Sequence, residues 1–78
     1  MASKTRYTIY QVFSNNMILP PARYVAAVSA YNPKGVLTYL VEGGYEGTFI
    51  WGTRTAWNRF ERSKYNDVRG MYRAVLSK

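Results

Sequence analysis

The sequence predicts an α+β fold in which an antiparallel sheet of three to four strands carries one C-terminal amphipathic helix on one face. Three observations lead to this. The first half alternates strand-like segments with turn signals, the spacing of apolar residues becomes helical after residue 53, and 78 residues are too few for a second domain. The chain is 47% hydrophobic and 17% aromatic, which favours folding over disorder. Residues 1–78 are therefore predicted to form a single compact domain.

Two strands are predicted in the first third of the chain. Residues 5–13 are rich in β-branched and aromatic side chains and contain no Gly or Pro, which favours a strand. Residues 14–16 supply turn chemistry, and Pro20–Pro21 prevents any regular element from continuing. Residues 23–31 are interpreted as the second strand. A helix stays open there, because four alanines fall between residues 22 and 30.

The strand interpretation of residues 23–31 depends on the turn signal directly after it. Asn32, Pro33 and Gly35 occupy the first, second and fourth positions of a type I turn, so residues 36–42 are predicted to return as the next strand. The glycine-rich residues 43–47 indicate a loop, and residues 48–52 a short last strand.

The hydrophobic period changes at residue 53. Mostly apolar residues then recur at intervals of 3, 4, 4, 3 and 4, namely Trp57, Phe60, Lys64, Val68, Met71 and Val75. This spacing predicts one helix over residues 54–76, with Thr53 or Thr55 as its N-cap. A break near residues 63–66 stays open, because Lys64 interrupts the apolar stripe and Gly70 costs about 1 kcal/mol relative to Ala inside a helix.

Alternation along the strands divides the side chains between two faces of the sheet. The side predicted to face the helix carries Ile9, Phe13, Leu37, Tyr39, Val41, Phe49 and Trp51. The opposite side carries Arg6, Thr8, Tyr10, Val25, Thr38, Leu40 and Ile50. One helix cannot cover both sides, so this open face predicts a homodimer or protein-partner contact. The ordinary alternative is that small domains expose some apolar residues.

Charge is concentrated in the last third of the chain. The formal net charge is +7 and the pI is near 10, which indicates anionic partners. Residues 1–52 hold four basic and two acidic residues, whereas residues 53–78 hold seven basic and two acidic ones. On the predicted helix, basic and amide side chains recur at intervals of 3, 4, 3 and 4 opposite the apolar stripe: Arg59, Arg62, Asn66, Arg69 and Arg73.

The acidic residues are predicted to leave these arginines unpaired. Glu61 and Asp67 both lie three residues from Lys64 and can neutralise that lysine instead. Guanidinium groups bind phosphate bidentately and stack on bases. We therefore expect a non-catalytic binding protein that docks its arginine-striped helix onto nucleic acid or a nucleoprotein complex. The predicted contact residues are Arg54, Arg59, Arg62, Tyr65, Asn66, Arg69, Arg73 and, at a hairpin tip, Lys34. A solvated helix face that serves only solubility is the structural alternative.

Composition also excludes several function classes. The chain has no Cys and no His, which removes disulfides, thiolate or imidazole metal sites and Cys or Ser/His nucleophilic chemistry. No catalytic residue, metal or cofactor is predicted. Two alternatives remain: a viral-type inhibitor or adaptor that contacts a host nucleic-acid-handling complex through protein, and a small basic toxin-like ribonuclease. No long apolar run or signal segment is present, so we expect no membrane partner and a cytoplasmic location.

Overall fold

The computed structural model describes residues 3–12 and 22–77 of the chain. The elements occur in the order β1 (Thr5–Val12), β2 (Ala22–Ala30), α1 (Pro33–Glu42), β3 (Gly47–Gly52), α2 (Arg54–Arg62) and β4 (Tyr72–Leu76). Within these ranges the strands form an antiparallel four-stranded sheet in the order β2-β1-β3-β4. The predicted α+β class and antiparallel sheet are thus confirmed, while the helices lie in mid-chain.

The three strands predicted at residues 5–13, 23–31 and 48–52 are confirmed as β1, β2 and β3, within a residue at each described end. Phe13, the turn at residues 14–16 and Pro20–Pro21 lie outside the described residues. β1 is central, because it pairs with β2 on one side and with β3 on the other. Ile9 lies opposite Trp51, and Tyr10 lies opposite Ile50. Pleating therefore sends the first pair to one face of the sheet and the second pair to the other.

The strand predicted at residues 36–42 is wrong, because this segment belongs to α1. Asn32 has an extended backbone, and its side chain accepts a hydrogen bond from the Gly35 N–H at 3.1 Å, which makes it the helix N-cap. Pro33 takes the first helical position, where a backbone N–H has no intrahelical partner. The Asn-Pro pair suits both a type I turn and a helix start, so local chemistry does not separate them.

Burial explains why a helix forms over residues 33–42. Val36 and Leu40 lie one helical turn apart and are both fully buried. Thr38, between them, is exposed, and its hydroxyl donates to the Lys34 carbonyl at 3.0 Å. A strand would place Thr38 on the same face as Val36 and Leu40 and bury its hydroxyl with them.

The single helix predicted over residues 54–76 is also wrong. Thr53 caps α2 by accepting a hydrogen bond from the Ala56 N–H at 3.1 Å, as predicted, but the helix ends at Arg62. Lys64 and Tyr65 take positive φ angles of 56° and 69°, which a right-handed helix cannot contain. The break left open near residues 63–66 is the one observed, and residues 72–76 join the sheet as β4.

The helices cover opposite faces of the sheet. On one face α1 closes a core of buried residues: Tyr7, Ile9, Ala30, Val36, Leu40, Phe49 and Trp51. On the other face α2 packs on β1 and β3, with Ala56 and Phe60 buried and the Trp57 ring 4.7 Å from Tyr10. The prediction of one helix on one face is therefore wrong. The prediction that the opposite face is open is also wrong, because Leu40 belongs to α1 and Ile50 is buried beneath α2.

We expect the Asn32→Ala variant to lose about 1 kcal/mol of unfolding free energy, because the α1 cap is removed. In a domain of this size that loss lowers the thermal midpoint by about 4–8 °C. Thermal unfolding followed by circular dichroism measures it, with Asn32→Asp as a control that keeps a capping oxygen. An Asn32→Ala midpoint equal to that of the wild type would contradict the capped helix.

Candidate functional site

The predicted binding residues do not form one stripe, because the helix that would align them ends at residue 62. They are distributed over α2 (Arg54, Arg59 and Arg62), the turn after it (Tyr65, Asn66 and Arg69), β4 (Arg73) and α1 (Lys34). Lys34 lines a separate shallow pocket with Leu37 and Trp51, on the face that α1 covers. The prediction that these arginines form one continuous surface along a helix is therefore wrong.

Two of the predicted arginines are held by Asp67. The Arg69 guanidinium donates to both carboxylate oxygens, from Nε to Oδ1 at 3.1 Å and from Nη2 to Oδ2 at 2.9 Å. Arg59 Nε lies 3.7 Å from Asp67 Oδ2, and Arg59 Nη2 donates to the Arg69 carbonyl at 3.3 Å. The prediction that Asp67 leaves the arginines unpaired is thus wrong. These contacts fasten the turn after α2 to the helix.

Electrostatics at this cluster favour the ionised carboxylate. The side-chain hydrogen bond from Arg69 is the largest cause, followed by the Arg69 backbone N–H, and together with the nearby guanidinium charges they lower the pKa of Asp67 to about 2. The same pairing raises the pKa of Arg69. Asp67 is therefore charged at neutral pH and holds both arginines in place.

The remaining predicted residues have different surroundings. Tyr65 is half-buried, with its ring 5.0 Å from Phe60 in an edge contact. Arg54 and Arg62 are exposed on α2, about 12 Å apart along the helix axis at 1.5 Å per residue. Arg73 is exposed on β4, opposite Ile50. Asn66 is exposed, and its N–H donates to the Ser63 hydroxyl.

A groove of about 330 Å³ lies between α2 and β1. One wall is formed by three alternate residues of β1, namely Arg6, Thr8 and Tyr10. The other wall is formed by three residues of α2, namely Arg54, Trp57 and Glu61. The Trp57 indole Nε1 donates to the Thr8 carbonyl at 3.1 Å, which joins the two walls. We call this site the α2–β1 groove.

Aromatic rings continue from the groove onto the edge strand β2. The Tyr10 ring lies 4.7 Å from Trp57 and 5.8 Å from Tyr24 between ring centres. Tyr24 pairs with Tyr10 on the neighbouring strand, and its side chain is 57% exposed. Because α2 packs on β1 and β3, the face of β2 beside it keeps this ring accessible. Tyr24 therefore offers an exposed ring to a planar ligand, whereas Tyr10 and Trp57 are half-buried and pack against each other.

The groove has a cationic end and an acidic end. Gly52 lies opposite Thr8 and only Thr53 separates it from α2, so the helix begins close to the start of β1. This brings Arg54 to the same end as Arg6, whereas Glu61 lies one turn beyond Trp57, seven residues and about 10 Å further along α2 than Arg54. Both arginines are exposed, and among residues 3–12 and 22–77 neither has a carboxylate within 4 Å.

Of the groove residues, only Arg54 is predicted from the sequence as a contact residue. Arg6, Thr8 and Tyr10 are predicted to share one face of the sheet, which is confirmed. The prediction that this face lies opposite the C-terminal helix is wrong, because α2 packs on it. The groove could not be predicted because the sequence assigns Trp57 to the apolar stripe that faces the core, whereas Trp57 lines the groove. An Arg-Thr-Tyr alternation on one strand face, together with a second aromatic segment, is the pattern that could have indicated this groove.

Comparison of the chain with protein-family models, curated proteins and solved structures finds no match. Inferences about function therefore depend on the groove itself. Neither α1 nor α2, the helices within the described ranges, has the length and apolar character needed to cross a membrane.

We expect Asp67→Asn to lower the thermal midpoint at pH 7, because the variant loses the charge that holds Arg59 and Arg69. Folding lowers the pKa of Asp67 from its ordinary 3.8 to about 2. The stabilisation is therefore complete above about pH 4 and is lost as the pH falls through about 2. Thermal unfolding at pH 7 and pH 2 should show the gap between variant and wild type closing in acid. Glu42→Gln, an exposed acid on α1, is the control. A gap that persists unchanged at pH 2 would contradict the ion-pair account.

Proposed function

We propose that this protein binds single-stranded nucleic acid, without catalysis, in the α2–β1 groove. One observation carries the proposal. Two exposed arginines with no carboxylate partner in the described part of the chain, Arg6 and Arg54, line the same groove as Tyr10 and Trp57, and the exposed Tyr24 ring continues from these two half-buried rings. The groove thus offers partners for both parts of a polynucleotide strand. Its arginines suit the anionic phosphates, and its aromatic rings suit the flat bases.

A single strand fits this combination better than a duplex does. Guanidinium groups bind phosphate oxygens through charged, often bidentate hydrogen bonds. Each base that stacks on an aromatic side chain contributes about 1–3 kcal/mol, and only unpaired bases have free faces. In a duplex the bases stack on each other, so Tyr10, Tyr24 and Trp57 would contribute little. Their rings are therefore the feature that favours single strands.

The charge of the whole molecule supports the same ligand. A net charge of +7 on 78 residues attracts polyanions and accelerates their association. Arg62 extends the cationic surface along the exposed side of α2, beyond the groove. Arg59 and Arg69 are engaged with Asp67, so they contribute charge at a distance more than direct contacts. The proposed interface consequently rests on fewer arginines than the sequence suggested.

A second candidate is the small basic ribonuclease, which one specific observation favours. The groove holds a carboxylate, Glu61, together with Tyr10 and two arginines. These residue types supply general acid–base groups and charge stabilisation without histidine. RNA that is bound and recovered intact favours the binding protein, whereas shortened products favour the ribonuclease. A protein partner that survives nuclease treatment of a pull-down would instead favour the inhibitor or adaptor.

We expect the double variant Arg6→Ala/Arg54→Ala to weaken binding of a single-stranded RNA decamer strongly and to flatten its salt dependence. Each neutralised phosphate of a single strand contributes a slope of about −0.7 in log affinity against log salt. Loss of two contacts should therefore reduce the slope by about 1.4. Fluorescence anisotropy across a salt series measures both quantities.

Arg23→Ala/Lys34→Ala is the matched control, since it removes the same charge from exposed positions outside the groove. Arg23 pairs with Gln11, on the opposite face of the sheet from Tyr10. If both double variants lose affinity equally, net charge alone explains binding and the groove is not the site. If the wild type binds no single strand at low salt, the proposed function is wrong.

The Tyr24→Ala variant should bind the same decamer about tenfold more weakly, because a stacking surface is lost. Tyr24→Phe should bind like the wild type, since the ring is retained. Tyr24 is 57% exposed on an edge strand, so little stability is at stake, and thermal unfolding of both variants verifies this. Equal affinities of the Ala and Phe variants would show that no base stacks there.

A further inference from the structure

We infer that Glu61 makes the α2–β1 groove selective for guanine within a single strand. This inference rests on the proposed function and adds the base that the site prefers. It starts from an inconsistency in the groove, which is suited to a polyanion and yet contains one carboxylate. Glu61 is exposed on α2, and no side-chain hydrogen bond or ion pair holds it among the described residues.

The other polar side chains of the groove can all donate hydrogen bonds. Arg6 and Arg54 only donate, and Thr8 and Tyr10 offer hydroxyl groups. The Trp57 indole N–H already donates to the Thr8 carbonyl. The Glu61 carboxylate is therefore the one acidic acceptor among the lining residues, and it lies about 10 Å beyond Arg54 along the axis of α2. Phosphates suit the arginine end, so a different part of the ligand must meet Glu61.

A carboxylate beside a polyanion reduces affinity unless the ligand offers it donors. Phosphates have no donors at neutral pH, whereas bases carry N–H groups on their pairing edges. Glu61 lies one helical turn beyond Trp57, on the same wall of the groove. A base stacked on the exposed part of the Trp57 ring would therefore bring its edge toward this carboxylate. Repulsion from the strand is offset only by bases that donate well.

Guanine matches a carboxylate better than the other bases do. Its pairing edge carries two adjacent donors, the ring N1–H and the exocyclic amino group, which reach both carboxylate oxygens together. Adenine and cytosine present one amino donor beside a ring acceptor that repels the carboxylate, and uracil presents a single N–H between two carbonyls. A bidentate contact of this kind discriminates between bases by about one to two orders of magnitude in affinity.

The test uses four 2′-O-methyl uridine decamers that differ only in a central guanine, adenine, cytosine or uracil and that resist cleavage. We expect the wild type to bind the guanine decamer about tenfold more tightly than the uracil one. In Glu61→Gln the amide presents one acceptor and one donor in place of two acceptors, so this preference should fall to about twofold or less. Affinity for the uracil decamer should stay equal or rise, because a negative charge has left the groove.

Glu42→Gln is the matched control, because it makes the same change in charge on α1, away from the groove. It should keep the full guanine preference. Equal binding of all four decamers by the wild type would overturn the guanine inference and leave the proposed function standing. An undiminished preference in Glu61→Gln would also overturn it. Failure of the wild type to bind any decamer would overturn both.

Discussion

β3 has to be covered on both faces, and the positions of both helices result from this requirement. Residues 48–52 are all buried, so apolar side chains must reach the strand from two directions. α1 supplies Val36 and Leu40 to one face, and α2 supplies Ala56 and Phe60 to the other. α2 has nine residues, about 13 Å in length, and packs on β1 and β3. The strip of sheet beside it, toward β2, stays open, and the α2–β1 groove occupies that strip. The candidate site is thus a consequence of how a small core is closed.

The arginines divide into two groups once the helix ends at residue 62. Arg59 and Arg69 surround Asp67 and hold the turn against α2, so they serve the fold. Arg6, Arg54 and Arg62 are exposed and face solvent. Trp57 connects structure and proposed function, because its indole N–H fixes α2 to β1 while its ring forms part of the aromatic row. A basic protein can therefore use similar side chains for cohesion and for ligand contact, and only their partners distinguish the roles.

Local chemistry is enough to predict β1 and β3, because β-branched and aromatic residues crowd there. It is not enough for β2, because its four alanines also suit a helix and its strand interpretation depends on a turn signal at Asn32 and Pro33 that is in fact a helix start. It fails for α1, since Asn32 and Pro33 begin a helix as readily as a turn. It fails for residues 63–76 because apolar spacing continues by chance across a turn, where Lys64 and Tyr65 adopt positive φ without a glycine to signal it. Arg54 is predicted as a contact residue, but on a helix that is predicted to be much longer than α2. The rest of the groove depends on the packing of α2 against β1, which residue spacing along the chain does not encode.

We propose that α2 and β1 together form the surface that a single strand contacts. The two tryptophans test it directly, because Trp57 lines the groove, while Trp51 is buried on the other face of the sheet in the α1 core. A titration of ¹⁵N-labelled protein with a single-stranded decamer monitors both indole N–H resonances at once. We expect the Trp57 resonance to shift in a saturable way while the Trp51 resonance stays in place. Saturable binding that leaves Trp57 unmoved, or that moves Trp51 alone, would contradict this proposal.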